Sequence, residues 1–296
     1  MDIALLSVSM NVYSTQRIAN EAKNLGHHIE CIDHTKCSIK IGGNKPQVLF
    51  KNDNILDAFD AIIPRIGTKV THHGASVVKQ FEMNKVFSTA HSANISKARN
   101  KAKTLQLLSN RGIPIPKTLF SIDPDDIDQQ IDILGGAPLI IKIQEGTHGL
   151  GVILAETKKS AKSIIDTFYK MDTNILMQEF IKESNGEDIR AFVVGDKVVA
   201  SMKRTSDNDE FRSNVHRGGS TSAVILTPKE KSIALNAAKH IGLGVAGVDL
   251  IRSKKGPLLI EVNASPGLQG IEAATGINIA KEIIHYVEQS CRKKRK

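Results

Sequence analysis

The most constraining feature of this chain is a predicted β-hairpin whose apolar strands are interrupted by three oxygen-bearing side chains, Asp249, Glu261 and Asn263. If Leu250 pairs with Ile260, both point into a core, and Asp249 lies opposite Glu261 on the other face. Two facing carboxylates repel each other, so their ionised forms are costly unless a cation lies between them. Carboxylate and amide oxygens suit Mg²⁺, which often shares its coordination with substrate phosphates. The hairpin therefore predicts a metal site with a phosphate close to it.

A lysine and a glycine-rich loop are the best candidates for contacts to that phosphate. Lys142 lies in the apolar run of residues 138–143, where an unpaired buried charge is expensive. Three glycines follow within residues 146–151, and their backbone N–H groups can approach a ligand closely. The loop lacks the Gly-Lys-Ser/Thr of a Walker A loop, and the lysine precedes the glycines, unlike the order in protein kinases. A flexible hairpin tip is the alternative interpretation.

Three further segments carry candidate ligand contacts. Residues 178–182 end a strand with an apolar linker that can offer backbone hydrogen bonds and an apolar face to adenine, and Asp188 could hold ribose hydroxyls. Residues 211–219 contain two arginines, an asparagine and paired glycines, which fits phosphate clamping, although a solvated surface loop is the alternative. Arg65 follows a predicted strand of residues 61–64 and is a candidate substrate contact or a structural side chain.

The order of predicted elements indicates an α/β protein. The chain opens with a β-α-β pattern, but the loop of residues 7–14 contains no glycine, which weighs strongly against an NAD or FAD site there. A helix over residues 95–110 follows, and we expect a domain boundary just before it. Three later helices are predicted over residues 158–170, 228–241 and 279–289.

Composition limits the cellular context. No apolar run is long enough to span a membrane, and the first residues do not resemble a signal peptide. The three cysteines form no C-x-x-C pair, so we expect a reduced, cytoplasmic protein without disulfides. Trp is absent and aromatic residues are only 4% of the chain, which argues against an aromatic platform for single-stranded nucleic acid.

The positive charge of the chain is concentrated at its end. The net charge is +9, and the five basic residues 292–296 supply more than half of it. We expect this tail to be disordered. A solubilising end and an electrostatic contact with RNA or an acidic partner are both consistent with it.

In this order, the motifs resemble those of the ATP-grasp ligases, and most closely those of the RimK-type α-L-glutamate ligases, the ribosomal small-subunit protein modification enzymes. The strings that carry the resemblance are residues 63–68, 106–108, 135–138, 145–152, 211–219, 245–249 and 261–267. The similarity extends from residue 3 to about residue 288 and leaves out the basic tail. Asn100 departs from the family pattern, which has an acidic residue before the lysine that corresponds to Lys101.

The resemblance implies an ATP-grasp fold of the α/β class with α+β subdomains. A Rossmann-like pre-ATP-grasp domain would cover residues 1–94, two subdomains enclosing ATP residues 95–290, and a basic tail residues 291–296. The implied ATP-binding residues are Lys101, Lys142, Gly146, Thr147, Gly149, Gly151, Glu179, Phe180, Ile181, Lys182, Asp188, Arg212, Ser213 and Asn214. Lys142 and Arg212 would also be catalytic. Two Mg²⁺ or Mn²⁺ ions would be held by Asp249, Glu261 and Asn263. Candidate substrate contacts are Arg65, Arg204 and Arg217.

The resemblance also implies a reaction. ATP would convert the C-terminal carboxylate of a ribosomal small-subunit protein to an acylphosphate, and the amine of L-glutamate would displace the phosphate; poly-α-glutamate is a second possible product. A homo-oligomer is expected, with a tetramer as one possibility. A sister ligase acting on another acid and amine is an alternative. A nucleotide-dependent regulator that binds RNA or ribosomes through the basic tail, without ligase activity, is another.

Overall fold

The computed structural model describes residues 1–43, 45–123, 125–144, 151–206 and 219–295, and side chains as far as residue 293. In these residues the strands form one parallel sheet and one small antiparallel sheet in the N-terminal part, followed by two larger antiparallel sheets.

The N-terminal part contains β1 (Asp2–Leu6), α1 (Tyr13–Asn24), β2 (His28–Ile32), β3 (Ser38–Lys40), β4 (Gln47–Phe50), β5 (Asp53–Asn54), β6 (Ala61–Pro64), α2 (Thr71–Met83) and β7 (Phe87–Ser88). The parallel sheet has the strand order β2-β1-β6-β7, and the predicted β-α-β opening is confirmed. Residues 3–6 are all 0% exposed, as expected for a parallel strand that is covered on both faces. Strands β3, β4 and β5 pair antiparallel in a sheet of their own.

Three neighbouring strands end at the same edge of the parallel sheet. Leu6 at the end of β1 pairs with Ile32 of β2 and with Pro64 of β6. The loops after these strands therefore begin side by side, at the edge where open α/β sheets bind ligands. Arg65 is the first residue after β6, and its backbone N–H donates to the Leu6 carbonyl oxygen at 2.8 Å.

The single helix predicted over residues 95–110 is two helices in the structure, α3 (Ser92–Arg99) and α4 (Lys101–Asn110). Asn100 between them has φ −90° and ψ 102°, and its side chain accepts a hydrogen bond from the backbone N–H of Lys103. Asparagine is preferred at a helix N-cap because its side chain satisfies an N–H group that the helix leaves without a partner. The prediction of one helix was wrong because the buried residues keep a helical spacing across this cap.

The middle part contains β8 (Thr118–Ser121), α5 (Ile127–Ile133), β9 (Leu139–Ile143), β10 (Val152–Ala155), α6 (Lys158–Lys170) and β11 (Ile175–Glu179). Its antiparallel sheet has the order β10-β9-β11-β8. The two helices share a core with this sheet, in which Ile131, Ile141, Ile165 and Met177 are completely buried. The predicted helix over residues 158–170 is confirmed, and Thr157 begins it with a capping box.

The C-terminal part contains β12 (Glu187–Val194), β13 (Lys197–Thr205), β14 (Ser220–Ala223), α7 (Pro228–Ile241), β15 (Val245–Ser253), β16 (Gly256–Asn263), α8 (Gln269–Thr275) and α9 (Ile279–Arg295). Its sheet order is β14-β13-β12-β15-β16. Side chains along β12 alternate between two cores. Ala191 and Val193 share a core with α7, whereas Phe192 and Val194 share one with α9. This sheet is therefore covered on both faces.

Helix α9 packs against α1 as well as the C-terminal sheet and so joins the two ends of the chain. The prediction of a disordered tail was wrong as far as Arg295, because α9 continues to that residue. Ile284, Val287 and Cys291 form one buried stripe at helical spacing, which extends the helix past its predicted end. Basic residues near a helix C-terminus also interact favourably with the helix dipole. None of the helices in the described residues is long and apolar enough to cross a bilayer.

Substitution Asn100→Ala should lower the free energy of unfolding by about 1 kcal/mol, because the first turn of α4 loses its cap. Asn100→Asp is the matched control, since a carboxylate caps a helix equally well. Urea unfolding followed by circular dichroism compares the two variants with the unchanged protein. Equal stability of the Ala and Asp variants would contradict the role of this cap.

Candidate active site

The β15–β16 hairpin places Asp249 opposite Glu261, as predicted, but its pairing shifts immediately afterwards. A β-bulge lies between Asp249 and Leu250, so Leu250 pairs with Leu259 and not with Ile260. Leu259 is 0% exposed, whereas Ile260 is only partly buried. The predicted Leu250–Ile260 pair was therefore wrong, because a bulge inserts one extra residue that sequence alternation does not reveal.

Two arginines, one of which was not predicted, bind the carboxylate of Asp249. Arg190 Nε and Nη2 donate to the two carboxylate oxygens at 2.7 Å each, and Arg204 Nη2 donates to Oδ2 at 3.0 Å. Burial alone would raise the pKa of the Asp249 carboxyl, but the charges and hydrogen bonds of both arginines hold it below its usual range. The protein itself thus supplies positive charge against Asp249, whereas the sequence predicted a metal ion between Asp249 and Glu261.

Arg204 also binds Asp188, and this pairing changes the interpretation of both residues. Arg204 Nε and Nη2 each donate to an Asp188 carboxylate oxygen at 2.6 Å. Burial would lower the pKa of the Arg204 guanidinium, but Asp249 and Asp188 raise it, so the side chain stays charged. The predicted ribose contact and the predicted substrate arginine thus belong to one ion-pair network with Asp249.

Arg190 was missed, although a signal for it exists in the sequence. It lies in β12 in register with Asp249 of β15, on a strand whose other central residues are apolar. A charged residue in an apolar strand was the signal that singled out Lys142. The same criterion applied to β12 would have identified Arg190 as a residue that needs a buried partner.

Lys142 lies on β9 and reaches toward the neighbouring strand β11. Its ammonium donates to Gln178 Oε1 at 2.6 Å, and Gln178 Nε2 in turn donates to Thr118 Oγ1 at 2.8 Å. Burial lowers the pKa of Lys142 to about 8; the negative charge of Glu261 opposes this shift and the positive charge of Lys101 adds to it. Side chains from β9, α4 and β16 are therefore close enough for their charges to act on one another.

Two more arginines, Arg65 and Arg99, donate hydrogen bonds to backbone carbonyl oxygens close to the hairpin and the parallel sheet. Arg65 Nη2 donates to the Pro266 carbonyl oxygen at 2.7 Å, in the loop that follows β16. Arg99, a second residue that the sequence did not single out, donates from Nη2 to the Ile66 carbonyl oxygen. Burial and the charge of Arg99 lower the pKa of Arg65 to about 10, and burial lowers that of Arg99 against the opposing charge of Glu261. Arg65 thus connects the loop after β16 to the N-terminal part.

The linker of residues 179–182 connects the middle sheet to the C-terminal sheet. Glu179 Oε1 accepts from the backbone N–H of Lys117 at 2.8 Å, and Ile181 is 9% exposed. Phe180 is partly buried, and Lys182 is exposed at the start of a short 3₁₀ helix, Lys182–Ser184. This predicted adenine-binding segment therefore lies at the junction of the two sheets that carry Lys142 and Glu261.

The predicted glycine loop and arginine loop fall mostly outside the described residues, namely Gly146, Thr147, Gly149, Arg212, Ser213, Asn214 and Arg217. Gly151 is described, with φ +74°. A Cβ atom there would lie 2.3 Å from Ile143, so only glycine fits against this strand. Gly151 therefore closes the β9–β10 pair directly beside Lys142.

The oxygen atoms of the hairpin fit a hard divalent cation. In the described residues Glu261 is partly buried and its side chain has no hydrogen-bond or ion-pair partner, so its carboxylate is available. Asn263 donates from Nδ2 to Asp249 Oδ2 at 3.4 Å, a contact that does not use its amide oxygen. Asp249 Oδ1 accepts one hydrogen bond from the described residues, that of Arg190 Nε, so this oxygen keeps a lone pair that a metal could use. This all-oxygen set suits Mg²⁺, which takes few protein ligands and keeps water or phosphate in its remaining positions.

Comparisons with known families agree with this geometry. The model of the RimK-like ATP-grasp domain matches residues 98–287, and that of the RimK PreATP-grasp domain matches residues 1–95. A probable alpha-L-glutamate ligase of Methanococcoides burtonii is 53% identical over 290 residues, which are 98% of this chain and 96% of the relative. One from Vibrio cholerae serotype O1 is 50% identical over 295 residues, 100% of this chain and 98% of the relative.

Solved structures show the same fold at low sequence identity. The ATP-grasp ligase PsnB complexed with minimal precursor, Mg and ADP aligns with a TM-score of 0.76 at 18% identity, over 98% of both chains. The D-cycloserine synthetase DcsG aligns with a TM-score of 0.73 at 15% identity, over 98% of this chain and 100% of that one. The predicted ATP-grasp fold with an N-terminal pre-ATP-grasp domain is confirmed. This chain belongs to the RimK-like ATP-grasp family, and its class is that of the ATP-grasp ligases, which use ATP with Mg²⁺.

Binding of Mg²⁺–ATP should take up protons at pH 8 to 9. The Lys142 ammonium loses its proton as the pH rises through about 8 in the free protein, and nearby phosphates favour the charged form. Lys142→Arg is the control, because arginine stays charged across this range and should remove the uptake. Calorimetry in buffers of different ionisation enthalpy measures it. An uptake that persists in Lys142→Arg would contradict the placement of Lys142 at the phosphates.

Proposed function

We propose that this enzyme uses ATP to join L-glutamate, by α-peptide bonds, to the C-terminal carboxylate of a polypeptide. A ribosomal small-subunit protein is the proposed acceptor, and poly-α-glutamate is the product when glutamate chains are themselves extended. The names of relatives that match the whole chain support glutamate as the amine substrate. The single observation that carries the proposal is that Lys142 lies close enough to Lys101 and to Glu261 of the hairpin for their charges to act on it.

The proposed reaction needs no protein nucleophile. An oxygen of the acceptor carboxylate attacks the γ-phosphorus of ATP, the bond from this phosphorus to the bridging oxygen breaks, and ADP leaves with an acylphosphate formed. The deprotonated α-amine of glutamate then attacks the acyl carbon, the bond from this carbon to the phosphate oxygen breaks, and the leaving inorganic phosphate takes up the proton that the amine loses. Both steps depend on positioning and on neutralising negative charge, which an arrangement of fixed cations can provide.

The nucleotide would lie between the middle and C-terminal sheets. Lys142 and Lys101 would contact its phosphates, and the linker of residues 179–182 would contact the adenine. Since Asp188 already binds Arg204 through both oxygens, a ribose contact would use the remaining lone pairs of its carboxylate. Phosphate contacts by residues 146–151 and 212–214, with Arg212 catalytic, remain predictions from the sequence.

Asp249, Glu261 and Asn263 would hold the divalent cation, Mg²⁺ or Mn²⁺, and two ions are proposed. A bound cation supplies charge neutralisation at the phosphates. Glu261 carries most of this proposal, because its carboxylate is available while that of Asp249 is bound to arginines. The ion pairs of Arg190 and Arg204 would fix the orientation of Asp249 before the cation arrives.

The proposal extends to the domain boundaries, the cellular location and the binding partners of the enzyme. We place the domain boundary between residues 94 and 95 and the end of the ATP-grasp domain near residue 290. The three cysteines are free, which is consistent with the proposed cytoplasmic location. The basic end of α9 would contact ribosomal RNA or an acidic partner, and a homo-oligomer, a tetramer among the possibilities, would be the working form.

Substitution Glu261→Ala should lower the rate of glutamate-dependent ADP formation at least a hundredfold, which corresponds to about 2.7 kcal/mol of lost transition-state stabilisation. The reason is the loss of the available carboxylate ligand. Glu30→Ala, on an exposed position of β2, is the matched control and should retain the full rate. A coupled ADP assay measures both. Full activity of Glu261→Ala in a folded protein would contradict the metal assignment.

Mass spectrometry of acceptor proteins tests the proposed reaction itself. Purified ribosomal small-subunit proteins are incubated with the enzyme, Mg²⁺–ATP and each amino acid in turn, and a parallel reaction contains no acceptor. We expect the mass of one or more glutamate residues to be added at a C-terminus, with glutamate alone supporting the reaction. Addition of a different amino acid would identify a sister ligase, and ADP formation without any ligated product would contradict the proposed ligation.

A further inference from the structure

A cavity of about 500 Å³ lies in the N-terminal part, outside the ATP-grasp site. Its walls are the loop of residues 7–10 after β1, Cys31 at the end of β2 with Asp33 just after it, and residues 49–52, which form the end of β4 and the turn to β5. Cavities of this size hold ligands larger than a single amino acid. Because it lies at the carboxyl edge of the parallel sheet, it is also where α/β sheets bind ligands.

The charge of the cavity is positive. Lys36 and Lys51 line it, and Asp33 is the single acidic residue among the lining residues. The Asp33 carboxylate is already engaged: Oδ1 accepts from Thr35 N at 3.1 Å and from Thr35 Oγ1 at 2.6 Å. Its other oxygen lies 3.6 Å from Lys36 Nζ. The two ammonium groups therefore outnumber the one carboxylate, and the cavity favours an anion.

The backbone of the β4–β5 turn holds Lys51 at the rim of the cavity. Lys51 has φ +52° and Asn52 has φ +71°, both in the left-handed region that residues other than glycine seldom adopt. The Lys51 ammonium lies 5.3 Å from the centre of the Phe50 ring, over the ring face, and this contact limits where the charge can lie. Positive φ at both positions is the geometry of a two-residue hairpin turn, here between Phe50 of β4 and Asp53 of β5.

The cavity also offers an apolar surface beside its charges. Val8 and Met10 are 48% and 39% exposed, and Leu49 and Phe50 complete the apolar part of the lining. A ligand with short apolar stems that end in carboxylates matches this combination. Glutamyl side chains have that structure, with two methylene groups and a carboxylate.

The position of the cavity relative to the hairpin suits a peptide. Strands β2, β1 and β6 are neighbours and end in register, so the end of β2 lies about 10 Å from the end of β6, a distance that about three extended residues span. Arg65, directly after β6, binds the Pro266 carbonyl oxygen in the loop after the hairpin. A chain whose C-terminal carboxylate lies at the hairpin can therefore pass the ends of β6 and β1 and enter the cavity.

We infer that this cavity binds the acidic C-terminal segment of the acceptor polypeptide, at least about three residues before the carboxylate that is activated. The inference rests on the proposed function and specifies which acceptors the enzyme prefers. Chains that already end in several glutamates fill the cavity, so the enzyme extends its own products better than it starts new ones.

Direct binding of a defined peptide tests this site without turnover. The probe is α-linked tetraglutamate with an N-terminal fluorophore, and fluorescence anisotropy is measured without ATP or free glutamate. Lys36→Glu with Lys51→Glu should weaken binding about tenfold or more. Lys23→Glu with Lys239→Glu changes the net charge equally at exposed positions outside the cavity and should leave affinity within about twofold. Because Lys51 has a positive φ, its substitution could disturb the turn, so Lys36→Glu is also measured alone. Thermal unfolding verifies that each variant is folded.

The rate of Cys31 alkylation measures occupancy of the cavity independently, in the protein without substitutions. Cys31 lines the cavity and is partly exposed, whereas Cys37 and Cys291 are buried and serve as internal references. Tetraglutamate should slow alkylation of Cys31 by at least threefold at saturation, and free glutamate at the same concentration should not. Mass spectrometry of the digested protein follows each cysteine separately.

The outcomes separate this inference from the proposed function. Weaker tetraglutamate binding in the cavity variants together with protection of Cys31 supports the inference. Unchanged binding in those variants overturns it, and so does a raised KM for free glutamate with unchanged peptide binding, which would make the cavity the site of the amino acid. If the unchanged protein ligates no glutamate at all, the proposed function fails, independently of whether the peptide binds.

Discussion

The buried carboxylate of Asp249 is bound by two arginines, Arg190 and Arg204. The strands that carry the other site residues depend on these ion pairs for their relative positions. Arg190 and Arg204 come from two strands of the same sheet, so their contacts fix the register of β12, β13 and β15 around one point. Removing one partner of a buried ion pair leaves an uncompensated charge and typically costs about 3–5 kcal/mol. The network thus keeps Asp249 ionised and oriented opposite Glu261 on the hairpin.

Around Lys142 the charges are not balanced, because the positively charged side chains outnumber the carboxylates close to them. Lys142, Arg65 and Arg99 each have a lowered pKa because burial disfavours the charged form, and Glu261 is the carboxylate that opposes this effect at two of them. Such a site is electrostatically prepared for a polyanion, since a bound triphosphate would restore the favourable solvation that burial removed. Balanced charge at Asp249 and excess positive charge around Lys142 therefore lie on two different sheets, which the linker of residues 179–182 connects.

Part of this site could be predicted because a charge in an apolar strand is visible in the sequence. Lys142, Asp249 and Glu261 all interrupt apolar runs; in the structure Glu261 pairs with Asp249, and its charge acts on Lys142. The partners of Asp249 could not be predicted, because they depend on strand pairing between distant segments. The bulge after Asp249 and the cap at Asn100 were missed for a related reason, since each changes the chain direction without disturbing the apolar spacing.

The measurement that tests the central claim most directly is a crystal structure of the enzyme with Mg²⁺ and a non-hydrolysable ATP analogue. The claim is that Asp249, Glu261 and Asn263 hold nucleotide-bound metal while Lys142 contacts the phosphates. We expect a cation bonded to Glu261 at about 2.1 Å, with Lys142 turned from Gln178 to a phosphate oxygen. A cation bound away from Glu261, with Lys142 still donating to Gln178, would contradict it.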